Sequence, residues 1–393
     1  MNRNFVSERI ASVPPSAIRR FFDIAQTMEN VISLGIGEPD FVTPYLARNA
    51  MINSLLDGET QYTANPGIFQ LRKEIAAYLA NRFSINYQAD TEILVTVGAS
   101  EAIDISFRAI LEPGDEVIIP DPGYVSYSPS VIFSHGTPVM VPTRAEDNFE
   151  PLAGDIERLI TKRTKAILLS FPNNPTGAVL TPGNLKAIAD LSIRHDLLVI
   201  CDEIYNELTY DGFKQGSMAA LPGMWERTVT INGFSKAFAM TGLRIGYVAA
   251  PAQLMQAISK IHQYTIMCAP RQSQVAALSA LQKGREDGYQ DIQVMRDSYD
   301  RRRRLMYDAF ISMGLECMEP KGAFYAFPSI KSTGLSSEDF CEKLLADQAL
   351  VCIPGTAFGK MGEGHIRCCY ATSTDKLLQA FERMQTFLDK LRS

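Results

Sequence analysis

The stretch Ile231–Tyr247, INGFSKAFAMTGLRIGY, places one lysine, Lys236, among Gly, Phe, Ala and Met, with Arg244 the next cation and no acid between them. Lost hydration lowers a lysine pKa, and the neutral amine is a nucleophile that condenses with aldehydes. Asp202 ends the apolar run LLVICD, where a carboxylate is costly unless a cation meets it. Gly98-Ala99-Ser100 follows the run EILVTV and opens a helical pattern. The free N–H groups and the dipole at such a helix start hold anions, and Arg244 is suited to a bidentate grip on a phosphate. Asn174 lies in the turn-rich Pro172–Gly177 that follows KAILLSF. Taken singly, each has a bland reading: Ser100 as a helix cap, Asn174 as part of a turn. Five such groups on successive strand ends share none. An aldehyde, a phosphate and a pyridinium together describe pyridoxal 5′-phosphate, whose expected protein partners are a Schiff-base lysine and an aspartate at the ring nitrogen.

The elements that must position these groups form a repeating pattern. From about Asp90 to Ala250, short apolar runs end in Gly, Pro, Asn or Asp and are often followed by helical periodicity. The runs are 92–97, 116–120, 138–142, 165–171, 197–202, 228–233 and 245–250. Strands apolar on both faces and separated by helices predict a mainly parallel seven-stranded sheet between helices, an α/β domain of the doubly wound kind. Ligands of such sheets bind at the carboxyl ends of the strands. After about Gly284 long amphipathic helical patterns and short strand candidates (322–330, 349–355, 365–372) predict a smaller α+β domain. The expected division is 44–284 for the large cofactor-binding domain, and 1–43 with 285–393 for the small one.

The motifs LGIGEPDF, QYTANPG, TVGASEAI, PDPGYVSY, SFPNNPTG, CDEIY, GFSKAFAMTGLRIGY and GEGHIRCCYATS run in this order from about Ser33 to Tyr370. The set resembles the class I aminotransferases, the fold type I family of pyridoxal-phosphate enzymes. The resemblance implies an aspartate-aminotransferase-like fold and a role for each matching position. Lys236 would be the Schiff-base lysine that also moves the proton at substrate Cα. Asp202 would hold the pyridine N–H, and Tyr205 and Asn174 the ring's 3′ oxygen. Ala99, Ser100, Ser235 and Arg244 would cradle the phosphate, and Tyr124 would stack on the ring. Tyr62 would reach the phosphate of the neighbouring subunit, in a homodimer with shared active sites. Arg367 would clamp the substrate α-carboxylate beside the backbone of Gly37.

For the substrate side chain, the resemblance points to Ile36, the N-terminal helix around Ile18 and a partner segment near HQYTIMCAPRQ. Tyr264 falls about where dicarboxylate-specific relatives place an arginine, which favours aromatic substrates. Arg271 is either a distal cation or a surface arginine. The expected reaction is transamination of an amino acid, aromatic first, with a 2-oxo acid such as 2-oxoglutarate. Aspartate or N-acetyl-diaminopimelate is the alternative, with a carbon–sulfur lyase or a pyridoxal-phosphate-sensing regulator further off. Leu243, His365 and Cys368-Cys369 depart from the common pattern and bear on substrate range rather than reaction type. His365 reads as a packed core residue.

The totals agree with this reading. The chain has 393 residues, 46% hydrophobic and 21% charged, enough for two domains, and its net charge of −6 argues against nucleic acid as a partner. The basic run Arg301–Arg304, flanked by Asp300 and Asp308, reads as a solvated helix face. Seven scattered cysteines without a CxxC pair suggest a reducing compartment and no metal site. The start lacks the apolar core of a signal peptide, and no run reaches membrane-spanning length, so the expected location is the cytoplasm.

Overall fold

A computed structural model describes residues 5–15, 28 and 30–392. The expected pocket position around Ile18 therefore lies outside the described residues. Strand β1 is Ile32–Ser33. The next seven strands build one sheet: β2 (Ile93–Thr96), β3 (Glu116–Asp121), β4 (Thr137–Pro142), β5 (Thr164–Ser170), β6 (Leu198–Asp202), β7 (Thr228–Gly233) and β8 (Gly246–Ala249). Their spatial order is β2-β8-β7-β6-β5-β3-β4. β3 through β7 pair parallel with their neighbours, and β8 runs antiparallel to both β7 and β2. The reason lies in the connection: residues 234–245 double back from β7 without a crossover helix, so β8 must return in the opposite sense. The inner strands β3 and β7 are buried along their whole length. The edge strand β4 carries Pro138 and Pro142 and is half open, as befits a strand with one unpaired side.

This topology aligns the chemistry. β2, β5, β6 and β7 all point the same way, so their carboxyl ends share one rim. The helix Gly98–Ile110 starts there, Asn174 follows β5, Asp202 ends β6, Lys236 follows β7, and Arg244 precedes β8.

Beyond the long helices Arg271–Asp287 and Gln290–Ser312, three short strands form an antiparallel sheet in the order β11 (Ile353–Pro354), β12 (Ile366–Cys369), β9 (Tyr325–Ala326). β10 (Leu350–Val351) pairs parallel with β1, which brings Leu34 into the same core. The single run expected at 349–355 is thus two strands, because it changes partners at Cys352. The N-terminal segment also touches the large sheet's layer, through contacts between the helix Glu8–Ala11 and the helix Tyr127–Phe133.

The arginine run is a solvated face only in part: Arg301 and Arg304 are exposed, but the other two turn inward. Arg303 is fully buried and meets Asp300, Asp211 and Glu319, while Arg302 reaches Asp40. Charges brought from distant segments turn one side of this helix inward, which local sequence could not show. His365 is buried as expected, stacked on Phe327 at 5.1 Å between ring centroids and edge-on to Phe149.

Candidate active site

The strand rim opens onto a cavity of about 800 Å³. At its anion end, the helix Gly98–Ile110 has no side-chain cap, and the Val97 N–H donates to Glu101 Oε2 at 2.5 Å. The first-turn N–H groups of Ala99 and Ser100 then face the cavity that these residues line. The helix can start here because position 246 is glycine: a Cβ there would stand 2.7 Å from the Ala99 nitrogen. Ser235 and Arg244 line the same end. Arg244 donates to the Thr241 carbonyl at 2.9 Å and has no carboxylate partner among the described residues.

At the centre, Lys236 Nζ donates to the Gly37 carbonyl at 2.6 Å and lies over the rings of Tyr205 and Phe324 at 5.7 and 5.5 Å. Burial lowers the Lys236 pKa to about 8; Arg367 pushes in the same direction, while Glu38 and Asp202 oppose it. Asp202 is buried, and burial holds its carboxyl above the usual carboxylate range. The Tyr127 hydroxyl, donating at 2.8 Å, and the Ile204 N–H at 3.2 Å offset part of that. Neither donor is a cation, so the carboxylate still favours a positive partner in the cavity.

At the far wall stands Arg367, 3% exposed. Its Nη1 donates to Asn174 Oδ1 at 2.9 Å and its Nη2 to the Gly35 carbonyl at 2.5 Å. The guanidinium lies against the rings of Tyr325 and Phe358, at 4.6 and 4.8 Å. Its Nε is buried without a partner, and no carboxylate meets it among the described residues. Tyr205 and Tyr325 join through their hydroxyls at 2.8 Å.

The sequence model of the family described as "Aminotransferase class I and II" matches residues 29–384. The chain belongs to this family. Its relatives include a protein named putative aminotransferase YugH from Bacillus subtilis, 53% identical over 98% of this chain and 99% of the relative. Another is named aspartate aminotransferase, from Pyrococcus abyssi, 45% identical over 98% of each chain. A solved structure titled aromatic aminotransferase, from Pyrococcus horikoshii, superposes with a TM-score of 0.90 at 44% identity, covering 95% of this chain and 99% of that one.

Of the aminotransferase positions expected from sequence, the cavity gathers Gly37, Ala99, Ser100, Tyr124, Asn174 and Asp202, and with them Tyr205, Ser235, Lys236, Arg244 and Arg367. Tyr62 and Tyr264 stand apart, 79% and 86% exposed. The backbone beside Arg367 is that of Gly35; Gly37 instead takes the lysine. A Cβ at Gly37 would lie 2.4 Å from the Tyr325 hydroxyl, so this close approach needs glycine. Arg271 is outside the cavity and pairs with Glu59 at 3.4 Å. Sequence reasoning missed Tyr127 and Tyr325. Tyr127 lies in PDPGYVSY, three residues past Tyr124, and packs edge-on to it at 5.5 Å; that proximity was the available signal.

Proposed function

We propose that this aminotransferase works with pyridoxal 5′-phosphate in the 800 Å³ cavity and that its preferred amino donors are aromatic. The observation that carries the reading is a buried arginine without a carboxylate, Arg367, facing the same cavity as a lysine with a lowered pKa and a buried aspartate. The residues present fit the cofactor: an uncapped helix start with Arg244 suits its phosphate, and Asp202 suits its ring nitrogen. Bound there, the cofactor supplies an aldehyde for amine capture and a protonated ring that takes up the electron pair left at Cα.

The chain's own residues do the rest. Arg367 binds the substrate α-carboxylate, replacing the anion it lacks, with Asn174 holding the guanidinium in place. That fixes Cα toward Lys236, whose Nζ, with its pKa lowered to about 8, is suited to take the Cα proton and return it. Asp202 keeps the opposite end charged, and Tyr127 keeps Asp202 oriented. Tyr205 and Asn174 would hold the ring's 3′ oxygen, and Tyr124 would pack against the ring; all three line the cavity. A 2-oxo acid such as 2-oxoglutarate runs the second half-reaction.

Two features favour aromatic donors. The cavity is also lined by the apolar side chains of Ile103, Val125, Pro129 and Phe133, with Val13 and Pro14. Arg271, the candidate distal cation, is occupied by Glu59. Relatives carry both aromatic and aspartate names, so aspartate is the competing donor. We further propose a homodimer in which Tyr62 reaches the neighbour's phosphate and Tyr264 the neighbour's substrate. Tyr45, Leu46, Ile52, Leu55 and Leu56 leave the helix Tyr45–Leu56 apolar and exposed, a face that needs a partner. Residues 44–284 then act as the large domain and 1–43 with 285–393 as the small one. The seven free cysteines suit the cytoplasm.

The test is the absorbance of the loaded protein mixed with single amino acids. Loss of the yellow band with tyrosine or phenylalanine supports the reading; loss only with aspartate moves the substrate and keeps the reaction. Lys236→Ala must abolish turnover, and sustained turnover by that variant overturns the assignment.

A further inference from the structure

His262 is fully buried, yet it belongs to none of the groups that line the cavity. Its Nδ1 lies 2.6 Å from Glu101 Oε1 and its Nε2 lies 3.0 Å from the backbone carbonyl of Asn65. Both partners are acceptors, so both call for a ring N–H. The other oxygen of Glu101 accepts the Val97 N–H, the amide immediately before the helix Gly98–Ile110. Asn65 sits in QYTANPG, the segment that carries Tyr62, and its amide donates to the Met267 carbonyl at 2.7 Å. One imidazole thus joins the start of the anion-holding helix to the segment presenting Tyr62.

The arrangement is an expensive way to hold two segments together. Burying a carboxylate and an imidazole costs desolvation, and apolar packing would stabilise the fold as well. What the pair supplies is direction. Glu101 satisfies the N–H of Val97 and leaves those of Ala99 and Ser100 aimed at the cavity. A carboxylate this close to a phosphate site would repel the phosphate if it were free to swing. His262 holds it by its far oxygen, away from that rotation.

We propose that His262 is a positioning residue for the phosphate end of the site, acting through Glu101 on the helix start and through Asn65 on the Tyr62 segment. The inference rests on the cofactor reading above. It predicts a split between ligands that do and do not carry a phosphate.

The experiment strips and reloads the full chain and measures dissociation constants for pyridoxal phosphate and for phosphate-free pyridoxal, in the wild type and in His262→Ala. The expected result is an affinity for pyridoxal phosphate about ten-fold weaker, as loss of a charge-assisted hydrogen bond would give. The affinity for pyridoxal should stay within about two-fold, as for a site not coupled to the change. Inorganic phosphate should raise the Tm of the cofactor-free variant less than that of the wild type. His262→Gln, whose amide nitrogen carries two N–H donors, should recover part of the loss, and it serves as the test if His262→Ala does not fold. Equal weakening of both ligands, or no weakening, overturns the proposal. Failure of the wild type to bind pyridoxal phosphate would instead remove the cofactor reading itself.

Discussion

Arg303 and Arg367 are both buried arginines, and they have opposite surroundings. Every nitrogen of Arg303 is used: Nε donates to Asp300 at 2.8 Å, Nη1 to Glu319 at 2.8 Å and to the Pro320 carbonyl at 2.9 Å, and Nη2 to Asp211 at 2.9 Å. Three carboxylates surround one cation. Arg367 has a side-chain amide, one carbonyl and two aromatic faces, with Nε unpartnered. A cation buried without an anion is destabilising unless something arrives to pair with it. The first arginine belongs to the fold, which supplies its anions from three separate segments. The second, on the proposed reading, waits for a ligand to supply the anion from outside.

The sharpest test separates the two by readout. Arg367→Ala should lower kcat/KM for amino acids by about 10²–10³-fold, the range expected when a desolvated charge partner is removed. Urea unfolding of the cofactor-free protein should barely change, because the variant gives up a buried charge that had no counter-ion. Arg303→Ala should do the reverse. Asp211, Asp300 and Glu319 are 26–38% exposed, so water relieves part of the damage, and a loss of about 2–3 kcal/mol in unfolding free energy is expected. Its KM should stay near that of the wild type. If Arg303→Ala cut kcat/KM as deeply as Arg367→Ala, the division between fold and ligand would be broken.

The same pair shows what was legible in the sequence. All seven strands of the large sheet could be read to within about a residue or two, because strands such as β3 and β6 are apolar on both faces and stop at Pro or Asp. The groups at Ala99–Ser100, Asn174, Asp202, Lys236 and Arg244 followed from where those strands end, whereas Gly37, Tyr124, Tyr205, Ser235 and Arg367 were expected from the family resemblance. Arg303 could not be read, since its partners Asp211 and Glu319 lie far off along the chain and a run of four arginines looks solvated from within. Tyr127, Tyr325 and His262 were missed for a related reason. A tyrosine or histidine has no spacing signature, and its role depends on what the fold brings to its tip. Tyr62 and Tyr264 differ again, being exposed on this chain, so the roles proposed for them would need a surface from a second subunit.

Lys236 sharpens the contrast further. Its pKa of about 8 is set first by burial, and Arg367 is among the charges that hold it down. Amine labelling of the cofactor-free protein should therefore rise with a midpoint near pH 8, well below that of a solvated lysine. In Arg367→Met the midpoint should move upward, because a cation that disfavoured the ammonium form is gone. In Arg303→Met it should stay where it is. A midpoint unaffected by Arg367 would mean that the two groups are not coupled through the cavity.

The smallest expected effect concerns Asp202, the anionic counterpart of Arg367. Burial raises its pKa, so the native protein holds that proton more tightly than the unfolded chain. Stability then falls as pH rises from the unfolded carboxylate value through the raised native one, and the cost is fully present above it. Asp202→Asn should therefore stabilise the cofactor-free protein at neutral pH, by about 1 kcal/mol or less. The advantage should vanish in acid, where the wild-type carboxyl is already protonated. Loading with pyridoxal phosphate should reverse the order, because only the wild type then gains a cation for its carboxylate. Thermal unfolding of both proteins, with and without cofactor and at neutral and acid pH, decides the matter. Should the variant be less stable without cofactor at neutral pH, Asp202 would be satisfied by Tyr127 and Ile204 alone. The site would then lack the unmet charge that, at Arg367, marks the place of a ligand.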